Sequence, residues 1–349
     1  MELNLLDSLM AWAVQVMGLA GSPPPVATRL SKGGSDRTFY RLCWDGGHVM
    51  AMHYRHERRE NAYYVPIGRF LREIGIAVPE IYHHDAGQGF LLMEDLGDDD
   101  LWSHRSAPWD IRQGLYQKTL TTIHRLHVYP TETFPRAAVP LMEGFDAGLY
   151  RWEREYFREH FVAGVCGIRM GRAEEQALEK ELNSLALRLD AGRPALVHRD
   201  FQSQNVMICR DEPVLIDFQG MRLGNPLYDL GSLLYDPYVS MNKEEREELL
   251  ACYFRLSDFG LSWSAFQNQF REASAQRLMQ ALGAYGFLGL KKGRPDFLRH
   301  VVKGVAHLEE VTKQAPGLPL LRGLAARCRK IAGEEVQDRL VLINYHDSD

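Results

Sequence analysis

Between Leu196 and Tyr238 the chain sets out three acids and one carboxamide in order, Asp200, Asn205, Asp217 and Asp229, separated by short aliphatic runs. Asp200 closes a His198-Arg199-Asp200 triplet, four residues separate it from Asn205, and Val214-Leu215-Ile216 leads into Asp217. A carboxylate can take or orient the proton of a hydroxyl nucleophile. A carboxamide and a second carboxylate offer hard oxygen ligands to a magnesium ion shared with phosphate oxygens. The apolar runs on either side of a tight turn at Arg210 to Pro213 read as a hairpin with Asp200, Asn205 and Asp217 at one end. The spacing predicts a magnesium-phosphate site, with Asp200 as the proton-handling acid and Asn205 and Asp217 as metal ligands. A single buried Asp often does no more than satisfy loop N–H groups. That is the role expected of Asp229, which follows Tyr228 and opens an apolar helix: it should hold the loop through backbone N–H groups and double as an N-cap. His198 is expected to pack and hydrogen-bond within the loop.

This run, from Leu196 to Leu234, resembles the aminoglycoside phosphotransferase and choline kinase group, whose members look like protein kinases but act on small molecules. The variants Asp217-Phe218-Gln219-Gly220 and Gly224-Asn225-Pro226-Leu227-Tyr228-Asp229-Leu230 resemble most the bacterial anomeric kinases of N-acetylmuramate and N-acetylglucosamine. The resemblance implies an α+β, bilobal, protein-kinase-like fold with a small β-rich N-terminal lobe (1–96) and a larger, mostly helical C-terminal lobe (97–349). It also implies ATP and Mg2+ as cofactors and a sugar 1-kinase activity in cell-wall sugar recycling. Two other readings stay open. One is a kinase of an aminoglycoside, choline or homoserine-type alcohol; the other is a nucleotide-binding pseudokinase without catalysis.

The remaining elements must position these groups. Leu5 to Leu19 has helical periodicity, stopped by Gly21-Ser22-Pro23-Pro24-Pro25. Thr28 to Leu42 reads as strand, glycine turn, strand, and the turn residues Gly33, Gly34 and Ser35 are candidates to cradle nucleotide phosphates. The following strand, His48 to Tyr54, stands where kinases carry a phosphate-gripping lysine, and it has none. His53, Arg55 or Lys32 are the candidate substitutes. Asn61 to Ile74 is expected to be a helix ended by Gly75, with Pro66 either accommodated in a first turn or kinking it. Phe90 to Met93 reads as a buried strand running into the segment where, by the resemblance, backbone groups from Glu94 to Leu96 pair with adenine. Trp109 to Leu126 should be helical, with His124 and His127 as surface or helix-end residues. Phe145 to Phe161 reads as an aromatic, charged helix, and its Arg151, Arg154 and Arg158 would suit an acidic sugar, Arg151 and Arg154 sharing a face. Helices are expected at 172–189, 243–257, 262–289, 295–312 and 318–333.

A formal net charge of -5 over 349 residues argues against general nucleic-acid binding. Five cysteines, Cys43, Cys166, Cys209, Cys252 and Cys328, are scattered without zinc-like pairing, so a reduced, cytoplasmic setting is expected. The first residues lack a basic n-region, and no apolar run is long enough for a membrane span. The partner expected is a small-molecule sugar, bound by a monomer.

Overall fold

The computed structural model describes residues 2–30, 37–257 and 259–346, with side chains described for 5–30, 37–257 and 259–333. The chain divides into two compact units, each built from discontinuous segments. The first comprises residues 1–100, 135–142 and 205–221, and the second 101–134, 143–204 and 222–349. Compactness thus groups residues 205–221 with the N-terminal part of the chain.

The first unit begins with helix α1 (Glu2–Val16), followed by strands β1 (Val26–Leu30), β2 (Thr38–Trp44) and β3 (Gly47–His53). A short 3-10 turn at Arg59–Tyr63 leads into α2 (Tyr64–Glu73), and β4 (Ile81–Asp85) and β5 (Phe90–Met93) complete an antiparallel sheet in the order β1-β2-β3-β5-β4. Leu9 and Ala13 of α1 bury themselves against Tyr40, Leu42, Val49 and Ala51, which covers one face of the sheet. The helix expected over Asn61 to Ile74 begins only at Tyr64, because Pro66 has no N–H and fits only near a helix start.

Helix α3 (Trp109–His127) opens the second unit, followed by α4 (Ala147–Phe157) and α5 (Arg172–Asp190). Asp146 caps α4 by accepting from the Leu149 N–H at 2.7 Å. The helix expected up to Phe161 changes pitch after Phe157, and Arg158–Ala163 form a π-helical turn. Strand β6 (Ala195–Val197) stands just before the His-Arg-Asp triplet. Strands β7 (Val206–Cys209) and β8 (Glu212–Leu215) form a hairpin that belongs to the first unit. Its two turn residues, Arg210 and Asp211, both have positive φ, the geometry that matches the twist of paired strands. Back in the second unit, β9 (Arg222–Gly224) pairs antiparallel with β6.

The rest of the second unit is helical: α6 (Leu227–Leu234), α7 (Lys243–Leu256), α8 (Trp263–Leu290), α9 (Val301–Lys313) and α10 (Pro319–His346). Every residue of α6 is buried, so it is a core helix whose polar side chains, Tyr228, Asp229 and Ser232, each meet a hydrogen-bond partner. A Cβ at Gly231 would lie 2.8 Å from the Ser274 Cα, which is why α6 and α8 can approach so closely. Among the described residues no helix is long and apolar enough to cross a membrane, and all five cysteines are free.

Candidate active site

The first unit carries the phosphate and metal half of the predicted set. The β7-β8 hairpin brings Asn205 and Asp217 together at its open end, where the Ile216 N–H donates to the Asn205 carbonyl at 3.0 Å. Asp217 has left-handed backbone geometry, φ 61 and ψ 31. A non-glycine residue there is uncommon, and among the described residues only four occur: Arg210 and Asp211 in the hairpin turn, and Arg199 and Asp217. Phe218 holds the bend in place. It is fully buried, 4.6 Å from the Tyr64 ring centroid, and its Cζ would lie 3.2 Å from a Cβ at Gly68 of α2.

Two side chains that the sequence did not flag act on the Asp217 carboxylate. Gln219 donates from Nε2 to Oδ1 at 3.0 Å, and the Arg37 guanidinium forms an ion pair with the same oxygen. No cluster of three or more His, Cys, Asp or Glu side chains that could hold a metal occurs among the described residues. A magnesium ion needs no such cage, because it is held by one or two protein oxygens together with phosphates and water. The Asn205 carboxamide and the Asp217 carboxylate form such a donor set, and a cation already seated on Asp217 shows that the carboxylate is placed to meet positive charge.

The other nucleotide-binding candidates fall differently. Gly33, Gly34, Ser35 and Lys32 lie outside the described residues. His53 ends β3, opposite Thr38 on β2 and Phe90 on β5. Burial, then the nearby Arg55 charge, lower its pKa, so it offers no positive charge to a phosphate at neutral pH. The Glu94 N–H donates to the Glu80 carbonyl at 2.8 Å, and the Glu80 N–H donates back to the Glu94 carboxylate at 3.2 Å. Adenine recognition at Glu94 would therefore fall to its carbonyl. The Leu96 carbonyl accepts from the Cys209 thiol at 3.7 Å. Arg41 of β2 grips both Asp95 and Asp98, tying this segment to the sheet.

The second unit carries the proton-handling half. Asp229 is fully buried and accepts from the backbone N–H of His198 at 2.7 Å and of Arg199 at 2.8 Å. It is not the N-cap of α6. That position is Pro226, and Asp229 sits in the first turn with its carboxylate turned to the loop instead of its own helix. His127 is the helix-end histidine of α3, but it does not lie at the surface. It is buried, its Nε2 lies 3.0 Å from Asp229 Oδ2, and its Nδ1 lies 2.6 Å from the Tyr253 hydroxyl. Asp236 does for the far end of the loop what Asp229 does for the near end, accepting from the Ser203 N–H at 2.9 Å. Burial raises its pKa. The His198 ring packs against Phe201 at 5.7 Å between centroids.

Asp200 lies between these two clamps. Its side chain is 27% exposed; burial pushes its pKa up, but Arg199 at 2.7 Å and Arg277 at 3.7 Å outweigh that and hold it at about 2. Arg277 is itself fixed by the Ser232 hydroxyl at 3.0 Å. Close by, Glu153 accepts from the Tyr228 hydroxyl and from Gln276, both at 2.9 Å, and burial raises its pKa. Arg222 is buried opposite Val197 in the β6-β9 pair, over the Phe145 ring.

The two arginines expected to meet the acceptor, Arg151 and Arg154, both lie on α4. Arg154 is buried between α4 and α5, with Asn183 at 3.0 Å and Glu179 at 3.7 Å, and Arg151 is exposed. The arginines that the structure places with Asp200 are Arg199 and Arg277.

A small antiparallel sheet unit, a larger helical unit and the Asp200, Asn205, Asp217 series define a protein-kinase-like phosphotransferase. The chain belongs to the phosphotransferase enzyme family known as APH, whose profile matches residues 26–266. It is 28% identical over 308 residues to a Pseudomonas putida protein named N-acetylmuramate/N-acetylglucosamine kinase, covering 86% of this chain and 88% of that one. A Pseudomonas aeruginosa protein of the same name is 25% identical over 330 residues, covering 92% and 94%. Among solved structures, a choline/ethanolamine kinase family protein from Mesorhizobium loti superposes with a TM-score of 0.61 at 18% identity, covering 93% of this chain and 99% of that one. An ADP-bound aminoglycoside phosphotransferase gives 0.57 at 12% identity, covering 87% and 98%. At those identities the solved structures show the fold, which is the one the motifs implied.

Proposed function

We propose that this protein transfers the γ-phosphoryl group of ATP to the anomeric hydroxyl of N-acetylmuramate or N-acetylglucosamine. Asn205 and Asp217 are the residues that would hold magnesium, which when bound neutralises charge on the phosphates. Asp200 orients the acceptor hydroxyl. With its pKa held at about 2 it is a weak base, so it takes the proton late, once the new P–O bond is largely made and the bond to ADP largely broken. Arg199, with its guanidinium on Asp200, keeps that carboxylate in place.

The observation that carries the choice of acceptor is the charge around Asp200. Arg199 and Arg277 form ion pairs with Asp200, and the buried Arg222 adds a further positive charge near it. A cationic choline or aminoglycoside would meet repulsion at such a place, whereas an acidic sugar would not. The names of the curated relatives support the same reading. The test is phosphorus NMR of the product formed from magnesium, ATP and a panel of N-acetylated sugars, amino alcohols and an aminoglycoside. A sugar 1-phosphate is expected, and reduction of the sugar to its alditol should abolish acceptance. A 6-phosphate would overturn the anomeric assignment, and turnover confined to an amino alcohol would overturn the acceptor class.

A further inference from the structure

The strand that carries a phosphate-gripping lysine in kinases has none here, and at its end the half-buried His53 has its pKa lowered, by burial first. A cation is nevertheless present one strand over. Thr38 of β2 pairs with His53, and Arg37 directly precedes Thr38 in the chain. The Arg37 side chain is only 7% exposed, and its guanidinium lies on Asp217 Oδ1 and 5.9 Å from the Phe39 ring. Withdrawing a guanidinium from water to that degree is costly unless an anion meets it. Its geometry, a planar fork of donors, suits phosphate as well as carboxylate.

We propose that Arg37 is the phosphate-binding cation of this site, taking on β2 the role that a lysine on β3 fills in kinases, and that Asp217 and the nucleotide phosphates are its two alternating partners. This rests on the kinase reading above. The reason for alternation is electrostatic. Asp217 Oδ1 can serve Arg37 or a metal ion, but two cations on one oxygen repel each other. A magnesium ion arriving with the nucleotide would therefore turn Arg37 from the carboxylate toward the phosphates, and Gln219 would keep the carboxylate in place meanwhile.

The experiment measures ADP binding by calorimetry and Mn2+ binding by electron paramagnetic resonance in the wild type, Arg37→Met and Arg37→Lys. Arg37→Met should weaken ADP binding at least ~tenfold, about 1.4 kcal/mol, and Arg37→Lys should recover part of it. In the absence of nucleotide, Arg37→Met should bind Mn2+ several-fold more tightly, because the competitor for Asp217 is gone. Opposite signs on the two ligands cannot come from a damaged fold, which would weaken both. Unchanged ADP affinity in Arg37→Met overturns the phosphate role. Weaker ADP binding with unchanged or weaker Mn2+ binding overturns the alternation. A wild type that binds neither ADP nor Mn2+-ADP would instead bring down the kinase reading on which the proposal stands.

Discussion

The two carboxylates of the predicted site, one in each unit, are held in opposite ways. Asp200, in the second unit, sits in a loop clamped at both ends by buried acids, Asp229 on His198 and Arg199 and Asp236 on Ser203. Asp217, in the first unit, sits at the tip of a bent strand with one carboxamide and one guanidinium on a single oxygen. A group that orients a hydroxyl must not move, since a displacement of about 1 Å can cost a hundredfold in rate. A group that accepts and releases a metal with each nucleotide needs partners it can exchange. Buried hydrogen bonds hold the loop around Asp200, whereas the Asp217 carboxylate is met by the side chains of Gln219 and Arg37.

The largest effect expected is chemical. Asp217→Asn should lower turnover by at least ~1000-fold at saturating magnesium while costing less stability than the loss of Asp229, because its carboxamide oxygen can still accept from Arg37 and Gln219. Near-normal steady-state kinetics would remove Asp217 from the metal role. Asp200→Asn should abolish transfer and preserve ADP binding, and a variant that still transfers phosphate would end its assignment. The comparison is sharpest at Asp229. Its loss strands two backbone donors and His127, each at about 1–3 kcal/mol, so Asp229→Ala should cost roughly 3 kcal/mol or more of stability in addition to activity. A denaturation curve matching that of Asp217→Asn would erase the distinction between a clamped and an exchangeable site.

A smaller effect concerns pH. With a pKa of about 2, Asp200 stays ionised throughout the working range, so the kcat/KM profile should show no acid limb from it above pH 4. Arg277 stabilises the ionised form, so Arg277→Met should raise the Asp200 pKa and move that limb upward. A profile that does not move would mean that Arg199 alone sets the charge state. The smallest change expected is at Gly68→Ala, where the new Cβ would lie 3.2 Å from Phe218 and from Ile81. Phe218 must yield by a few tenths of an ångström, and a stability loss of about 1 kcal/mol with a several-fold loss of turnover is expected. Wild-type kinetics would show that the bend at Asp217 does not depend on the packing behind it.

The spacing of Asp200, Asn205, Asp217 and Asp229, and the hairpin that brings Asn205 to Asp217, were legible from the chain alone because they are local. A tight turn between two short apolar runs decides the hairpin, while the family and the fold class were what the resemblance of these motifs implied. Sequence alone could not say which charges surround each acid. Arg37 meets Asp217 across 180 residues and His127 meets Asp229 across 102, and no periodicity links such positions. Arg154 shows the same limit from the other side. It looked suited to an acidic sugar, but the packing of α4 against α5 turned it to Asn183 and Glu179. Local patterns set where a carboxylate stands along the chain, whereas its charge state and freedom to change partners depend on what the tertiary fold buries against it.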